Sequence, residues 1–380
     1  MSDNHLNRRE MLKMGTVASA ATFLSLSGAN NSASAQSQAR LNGAADKIIR
    51  IWGNENPFGP SPKARQAITK AVLAGNRYAT VEITSLEKMI AERENVAPES
   101  VILGTGSGEV LAMAAVAYGL EKGEIVAADP TFAWLLRYAE FVGAKVNKIP
   151  LDENQSHDLK AMRRAVGSNT KLVYVCNPNN PTSTIVPSSR LRQFCEDVAE
   201  KTPVLVDEAY LEYLDDFPAQ SMIDLVRKNQ NVIVLRTFSK IYGLAGLRLG
   251  YGLAKPEIAA KLKQFRMTWL NPISLRAGIA SLEDKDFVRE SRRENAETRR
   301  YVLAEMDKLK LAYAPNPQGN FFWLKVGADQ RDLPAKLAKS NIYIAGPNPR
   351  PLSEDWTRVT VGTMEEMRAF SKAMQAVYKN

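Results

Sequence analysis

The sequence predicts an α/β fold in which a mostly parallel sheet is covered by helices on both faces. From about residue 95 onward, short apolar runs such as SVILGTG, EIVAADP, KLVYVCN, PVLVDEAY and NVIVLRTF alternate with segments of helical periodicity. Strands that alternate with helices form βαβ units with right-handed crossovers. With 380 residues, of which 45% are hydrophobic, the chain can bury a large core. Because such sheets bind ligands at the carboxyl ends of their strands, functional residues are expected directly after the strands.

A change of pattern near residue 270 predicts a second, smaller α+β domain. A long polar helix is expected from about 282 to 310, followed by the mixed segments GNFFWLKVG, NIYIAG and TRVTVGT. The N-terminal stretch is too short to fold alone, so we expect both ends of the chain to contribute to this domain. The predicted boundaries are 1–35 for a signal peptide, 36–75 for an N-terminal arm and part of the small domain, 76–275 for the large domain and 276–380 for the remaining small domain.

The first 35 residues have the order of an export signal: a charged start, the apolar run TVASAATFLSLSG and the small-residue site Ala33-Ser34-Ala35. The apolar run is too short to span a bilayer. Arg8 and Arg9 in RREMLK resemble the twin-arginine signal, although Asn7 replaces the usual Ser or Thr. A disordered tail that happens to contain two arginines is the alternative. The expectation is export of a folded protein by the twin-arginine machinery to the periplasm, with no membrane span in the mature chain.

The composition argues against several function classes. The net charge is +9, but the basic residues are scattered without interleaved aromatics, so no nucleic-acid partner is expected. The chain has only two histidines, which argues against a zinc site built on imidazoles and against a Ser-His-Asp triad. No metal site is predicted. His157 lies in the polar stretch ENQSHDLK and is interpreted as a surface residue, while Cys176 and Cys195 are interpreted as buried thiols, with a disulfide left open.

The most informative residue is Lys240, which follows the strand NVIVLRTF at the start of a Gly-rich turn. A lysine whose amine is held neutral can condense with a carbonyl as a Schiff base. A lysine at the end of a strand is more often solvated, so the interpretation depends on its companions. Asp207 and Asn180 follow two other strands, and Arg248 lies eight residues beyond the lysine. Taken alone, Asp207 could equally cap a helix.

The segment GTGSGE, which follows the strand VIL, could receive an anion at the start of the next helix. Its glycine spacing differs from G-x-G-x-x-G, and no acidic residue ends a second strand at the required distance, which argues against nicotinamide binding. Lysine, carboxylate, amide and phosphate-binding residues at successive strand ends are the groups that pyridoxal phosphate chemistry needs.

From about residue 46 onward, the sequence resembles the fold-type I pyridoxal-phosphate enzymes of the class I/II aminotransferase family, most closely the histidinol-phosphate aminotransferase branch. The motifs that carry the resemblance are NENPFGPSP, GSGEVL, DPTF, NPNNPT, VDEAYLEY, TFSKIYGLAGLRLGY, GNFFWLKV and RVTVGT. The resemblance implies a seven-stranded sheet in the large domain, a homodimer with shared active sites, and transfer of an amino group between an amino acid and a 2-oxo acid.

The resemblance also implies roles for individual residues. Lys240 would form the Schiff base and move the proton, and Asp207 would keep the pyridine nitrogen protonated. Tyr210 and Asn180 would hold the 3-oxygen of the ring, and Phe132 would stack on it. The phosphate would be bound by Ser107, Gly108, Thr237, Ser239, Arg248 and the neighbouring subunit's Tyr78. The substrate would be bound by Arg358, which would pair with its carboxylate, and by Asn56 and Asn320.

Departures from the family pattern bear on the substrate. The expected acidic residue of GSDE is Gly108, the expected RYP reads Arg77-Tyr78-Ala79, and the expected NPTG ends in Ser183. At Ala345, the histidinol-phosphate enzymes generally present an arginine that helps to bind the substrate's phosphate. We therefore expect a different, unphosphorylated amino acid as substrate, which an exported enzyme would also require. A decarboxylase or lyase on the same scaffold, and a non-catalytic binding protein, are the alternatives.

Overall fold

The computed structural model describes residues 48–346 and 355–378. The predicted signal peptide lies outside the described residues, as does Arg350 in the segment PNPRP that follows Ala345 and Gly346. The strands are β1 (Ile49–Ile51), β2 (Val101–Gly104), β3 (Glu124–Asp129), β4 (Lys145–Pro150), β5 (Thr170–Cys176), β6 (Val204–Asp207), β7 (Val232–Thr237), β8 (Gly250–Ala254), β9 (Phe321–Lys325), β10 (Ile342–Ile344) and β11 (Trp356–Thr360).

Helices connect these strands, and most of them cover the central sheet. They are α1 (Pro62–Ala71), α2 (Thr80–Glu94), α3 (Ser107–Gly119), α4 (Trp134–Phe141), α5 (Leu159–Ala165), α6 (Ser188–Ala199), α7 (Phe217–Gln220), α8 (Ile223–Arg227), α9 (Pro256–Lys263), α10 (Pro272–Leu282), α11 (Lys285–Lys308), α12 (Leu333–Ala338) and α13 (Met364–Tyr378). The long polar helix expected from about 282 to 310 is α11. None of the helices in the described part of the chain is long and apolar enough to cross a membrane.

The central sheet has seven strands in the order β2-β8-β7-β6-β5-β3-β4, and only β8 runs antiparallel to its neighbours. Every residue of β6, β7 and β8 is buried. Strands covered on both faces have near-continuous apolar sequences, which explains runs such as VLV and VIVL. The prediction of an α/β fold with a mostly parallel seven-stranded sheet is confirmed.

The alternating side chains of these strands enter two separate cores. Val204 and Val206 of β6 belong to the core on one face, and Leu205 belongs to the core on the other. Cys195 lies in the first core and Cys176 in the second, and both are free, buried thiols. The sheet therefore separates the two cysteines.

A third core is built from segments near both ends of the described chain. Strand β1 pairs in parallel with β10, and β11 pairs antiparallel with β9. Ile51 of β1 packs in the same core as Phe322 of β9 and Phe370 of α13. The predicted domain boundaries themselves stay predictions. Two strands of this core lead to the site: β1 continues directly into the segment Trp52–Asn56, and β11 carries Arg358.

Candidate active site

The carboxyl ends of β5, β6 and β7 open into one cavity of about 660 Å³. Parallel neighbouring strands end at the same edge of a sheet, so residues that follow different strands meet there. A volume of this size suits a small-molecule ligand. The predicted site residues that line the cavity are Ser107, Gly108, Phe132, Asn180, Asp207, Tyr210, Thr237, Ser239, Lys240, Arg248 and Arg358.

Lys240 is partly buried in this cavity. Its Nζ donates to the carbonyl oxygen of Gly53 at 3.1 Å and lies 5.4 Å from the centre of the Tyr210 ring. Burial, assisted by the positive charges of Arg358 and Arg248, lowers the pKa of the amine to about 7. A substantial fraction of Lys240 is therefore neutral and nucleophilic near neutral pH.

Asp207, the last residue of β6, is a buried carboxylate. Its Oδ1 accepts from the backbone N–H of Ala209 at 3.1 Å, and its Oδ2 accepts from the Tyr174 hydroxyl at 3.2 Å. Burial raises the pKa of Asp207 to about 6, although these two hydrogen bonds oppose the rise. Within residues 48–346 and 355–378, no cationic side chain forms an ion pair with this carboxylate. The carboxylate thus offers a place for a cation supplied by a ligand.

Asn180 connects Tyr210 with Arg358. Its Nδ2 donates to the hydroxyl oxygen of Tyr210 at 3.2 Å, and its Oδ1 accepts from Nη1 of Arg358 at 2.7 Å. A second guanidinium nitrogen of Arg358 donates to the carbonyl oxygen of Trp52 at 2.7 Å, while the buried Nε has no hydrogen-bond partner in the described structure. Burial lowers the pKa of Arg358. No carboxylate among the described residues pairs with this arginine, so it can receive one from a ligand.

The other end of the cavity is suited to an anion. Helix α3 begins at Ser107 after Gly106, which has no side chain to cap the helix. Nη1 of Arg248 donates to Oγ of Ser239 at 3.3 Å, and a Cβ added at Gly106 would lie 2.3 Å from Nη2 of Arg248. Glycine is therefore required for the guanidinium to approach the start of the helix. Thr237 holds this loop by accepting the backbone N–H of Ser239 at 3.1 Å.

The family model "Aminotransferase class I and II" matches residues 46–374. The chain belongs to this family. It is 37% identical over 332 residues to a histidinol-phosphate aminotransferase from Moorella thermoacetica, covering 87% of this chain and 85% of that protein. It is 36% identical over 326 residues to the enzyme of the same name from Halalkalibacterium halodurans, with coverages of 84% and 86%.

Its structure is similar to that of histidinol-phosphate aminotransferase from Sinorhizobium meliloti, which was solved in complex with pyridoxal-5'-phosphate. The TM-score is 0.81 at 28% sequence identity, and the match covers 90% of this chain and 94% of that chain. The protein is accordingly a pyridoxal-phosphate-dependent aminotransferase of the histidinol-phosphate aminotransferase type, which confirms the predicted enzyme class and cofactor. Its substrate is left open.

The cavity of this aminotransferase fits the cofactor. A protonated pyridine nitrogen would satisfy the unpaired carboxylate of Asp207, and the first turn of α3 with Arg248 would bind the phosphate. Lys240 lies in the same cavity with a lowered pKa, as an amine that condenses with an aldehyde requires.

Three predicted site residues do not line the cavity. Tyr78 is 80% exposed and packs on Trp269 with ring centres 5.5 Å apart. The buried amide of Asn56 donates to the carbonyl oxygen of Ile241 at 2.7 Å, and that of Asn320 donates to the carbonyl oxygen of Glu55 at 3.2 Å. Within this single chain, the two amides support the backbone near the site. Their proposed contacts with substrate stay predictions.

The interpretation of His157 as a surface residue was wrong. Its side chain is buried, and Nε2 lies 2.7 Å from the carbonyl oxygen of Cys176, so Nε2 is the donor and Nδ1 has no partner in the described structure. Burial lowers the pKa of His157 to about 4. The polar sequence around His157 suggested exposure. Its imidazole instead donates a hydrogen bond to the carbonyl oxygen at the end of β5.

The segment Trp52–Asn54, directly after β1, also lines the cavity and was not among the predicted site residues. The carbonyl oxygens of Trp52 and Gly53 accept from Arg358 and Lys240, and the amide of Asn54 donates to Tyr210 at 3.1 Å. These contacts join residues up to 306 positions apart. The motif NENPFGPSP includes Asn54, but the residue predicted to bind substrate in this motif was Asn56.

Proposed function

We propose that this aminotransferase moves an amino group between a free, unphosphorylated amino acid and a 2-oxo acid, with Lys240 as its covalent and proton-transferring residue. The observation that carries the proposal is the composition of one cavity. It combines an amine with a lowered pKa, a buried carboxylate without a cationic partner in the described chain and a guanidinium without a carboxylate partner there. Each group lacks the partner that the cofactor or the amino acid would supply.

Pyridoxal phosphate supplies an electron-withdrawing ring that makes the α-proton of a bound amino acid acidic. Asp207 would hold the ring nitrogen in its protonated form, and Tyr210 with Asn180 would bind the 3-oxygen. Phe132 would pack on the ring. The phosphate would be bound by Ser107, Gly108, Thr237, Ser239 and Arg248, which lie at the anion-binding end of the cavity.

Lys240 would act as the base at the α-carbon once the substrate amine has replaced it. Its Nζ is neutral above a pH of about 7 because burial disfavours the charged form. The neutral amine would accept the α-proton, and the resulting ammonium would deliver it to the cofactor carbon that carries the amino group after the transfer. The nearby carbonyl oxygen of Gly53, 3.1 Å away, would stabilise that ammonium while it holds the proton.

Arg358 would bind the carboxylate that amino acids and 2-oxo acids share. Its guanidinium is held by Asn180 and by the carbonyl oxygen of Trp52. Both contacts leave the arginine without a negative partner in the described chain, and a planar carboxylate matches its paired N–H groups. The amino acid and the 2-oxo acid react in separate half-reactions at the same site, so one arginine that binds the carboxylate of both is suited to this reaction.

The absence of a phosphate-binding arginine at Ala345 supports a substrate without phosphate. The N–H of Ala345 donates to the carbonyl oxygen of Arg358 at 3.2 Å, and its own carbonyl accepts from Oγ1 of Thr357 at 2.6 Å. This position is therefore next to the strand that carries Arg358. The methyl group of Ala345 cannot donate a hydrogen bond to phosphate.

The substrate proposal is tested by the first half-reaction with a panel of free amino acids and with histidinol phosphate. We expect 2-oxo acid and the amino form of the cofactor with at least one free amino acid, and little product with histidinol phosphate. The A345R variant should improve kcat/KM for histidinol phosphate relative to wild type. Strong turnover of histidinol phosphate by the wild type, with none on the free amino acids, would overturn the proposal.

A homodimer with shared active sites is part of the proposal. Tyr78 and Trp269 form an exposed aromatic pair, and Met267, which is two residues from Trp269, is 84% exposed at the edge of the cavity. Covering this apolar surface with a second copy would place Tyr78 near the neighbouring phosphate site. Sedimentation should give a dimer, and Y78F should weaken cofactor binding; a monomer with full activity would contradict this arrangement.

We also propose that the enzyme is exported by the twin-arginine route and acts in the periplasm. The support is the order of charged, apolar and small residues in 1–35, with Arg8 and Arg9 at its start. The R8K/R9K double variant should accumulate in the cytoplasm. N-terminal sequencing of the cell-envelope fraction should begin near Gln36, and retention of Met1 there would contradict cleavage.

A further inference from the structure

Asn54 is a buried residue that connects the segment after β1 to the rest of the site. Its backbone has a φ of +51°, a conformation that asparagine tolerates better than most residues. Its backbone N–H donates to Oγ1 of Thr360 at 2.8 Å, and its side chain spans the space between Thr360 and Tyr210. One residue thus joins three segments of the chain around the hydroxyl of Tyr210.

The orientation of the Asn180 amide around that hydroxyl follows from its other partner, and the structure has the Asn54 amide in the same orientation. Oδ1 of Asn180 accepts from Arg358, which can only donate, so Nδ2 of Asn180 must face Tyr210. Oγ1 of Thr360 receives the N–H of Asn54, and its own proton is donated to Oδ1 of Asn54 at 3.1 Å. Nδ2 of Asn54 then faces Tyr210, at 3.1 Å.

Two amide donors therefore occupy the lone pairs of the Tyr210 oxygen, and its single proton must be donated elsewhere. The hydroxyl donates to no acceptor within residues 48–346 and 355–378, and Tyr210 lines the cavity. We infer that Asn54 is a positioning residue that fixes Tyr210 as a hydrogen-bond donor toward the 3-oxygen of the cofactor. This inference rests on the proposed role of Tyr210.

A donor at the 3-oxygen stabilises negative charge on that atom. It thereby lowers the pH at which the visible absorption of the bound cofactor changes, because the donor stabilises the unprotonated form, in which no added proton offsets the negative charge of that oxygen, more than the protonated form. Loss of Asn54 allows the hydroxyl of Tyr210 to rotate and donate to water in the space that the amide leaves. The midpoint of the absorption change should then move to higher pH.

The test is a pH titration of the absorption spectrum of the holoenzyme for wild type, N54G, Y210F and the double variant N54G/Y210F. Glycine removes the amide and still permits the positive φ. T360V provides a second route, because it removes the hydroxyl that orients Asn54. S291A is the matched control, since Ser291 binds the amide of Asn56 on the same segment and does not contact Tyr210.

We expect N54G to raise the midpoint by roughly 0.5 to 1 pH unit, as for the loss of one hydrogen bond, and T360V to raise it by less. N54G should add no further shift when Tyr210 is already Phe, and S291A should leave the midpoint unchanged. An equal shift from N54G in the Y210F background, or no shift from N54G when Y210F shifts the midpoint, would overturn the inference alone. No shift in Y210F would instead overturn the proposed role of Tyr210.

Discussion

Two groups of charged side chains lie at the carboxyl ends of β6 and β7. One group faces away from the cavity and the other lines it, and the two differ in their partners. Away from the cavity, Arg236 is fully buried and donates to Glu208 at 3.1 Å, to Glu94 at 2.6 Å and to Ser221 at 2.8 Å. Glu208 also accepts the backbone N–H of Met222 at 2.7 Å. This cluster is complete without any ligand.

On the cavity side, Asp207 and Lys240 are also removed from water, but neither has a partner of opposite charge in hydrogen-bond contact within the described chain. Burial shifts the pKa of each toward the neutral form, to about 6 for the carboxylate and about 7 for the amine. Buried charges that have opposite partners at these strand ends thus stabilise the fold, whereas buried charges without such partners in the described chain indicate the functional site.

The largest effect is expected for K240A, which removes the amine from the cavity side. Amino transfer should fall by roughly 10²- to 10⁴-fold, the range for loss of a positioned proton-transfer group. The steady-state rate of 2-oxo acid formation measures it. K261A, which breaks an exposed ion pair with Glu121, is the control and should retain full activity. Near wild-type turnover by K240A would show that Lys240 is not required for amino transfer.

R236M should affect stability instead. Removing Arg236 leaves the buried Glu208 without its ion-pair partner and Glu94 with only Arg93, 3.4 Å away, which should lower the free energy of unfolding by about 3–5 kcal/mol. Chemical denaturation measures this change. The control is K148M, which breaks an exposed pair with Glu140 and should cost less than about 1 kcal/mol. Equal losses in the two variants would show that the buried cluster has no special structural role.

His157 lies between the fully paired cluster and the cavity residues in its hydrogen bonding, because only one of its two ring nitrogens has a partner in the described structure. Its pKa is lowered from 6.5 to about 4, so the unfolded state binds the extra proton first as the pH falls. Relative to H157Q, which keeps a donor for Cys176, wild type should lose up to about 3 kcal/mol of stability between pH 6.5 and pH 4. Parallel pH profiles of the two proteins' unfolding free energies would contradict this assignment.

The adjacent carboxylates Asp207 and Glu208 give the most closely matched comparison. D207N should lower kcat by roughly 10- to 100-fold, as for loss of one charged hydrogen bond, without loss of apoprotein stability. E208Q should do the opposite, destabilising the fold by about 1.5–3 kcal/mol and leaving kcat of the folded enzyme nearly unchanged. Steady-state kinetics and chemical denaturation of both variants measure these effects. A comparable loss of kcat in both would contradict the assignment of a catalytic role to Asp207 and a structural role to Glu208.

The sequence could predict the part of the site that follows from strand order. Asp207, Thr237 and Lys240 each lie at or just beyond the end of an apolar run, and parallel pairing brings such ends together. Glycines before α3 and the arginine near Ser239 were likewise visible as local patterns. These residues were predictable because their positions depend on local periodicity and on one rule of topology.

Contacts between distant segments could not be predicted in this way. Asn54 reaches Tyr210 and Thr360 across 156 and 306 positions, and nothing in its local sequence distinguishes it from Asn56. His157 is buried only because the end of β5 packs beside it. Such contacts depend on how three cores assemble, which a pattern of polar and apolar residues does not specify.

Covalent binding of the cofactor by Lys240 is tested by reduction of the holoenzyme with borohydride, followed by proteolysis and mass mapping of the labelled peptide. We expect a pyridoxyl group on Lys240, in the peptide that contains TFSKIYGLAG, and its loss in K240A. A pyridoxyl group on any other lysine, or on none, would contradict it.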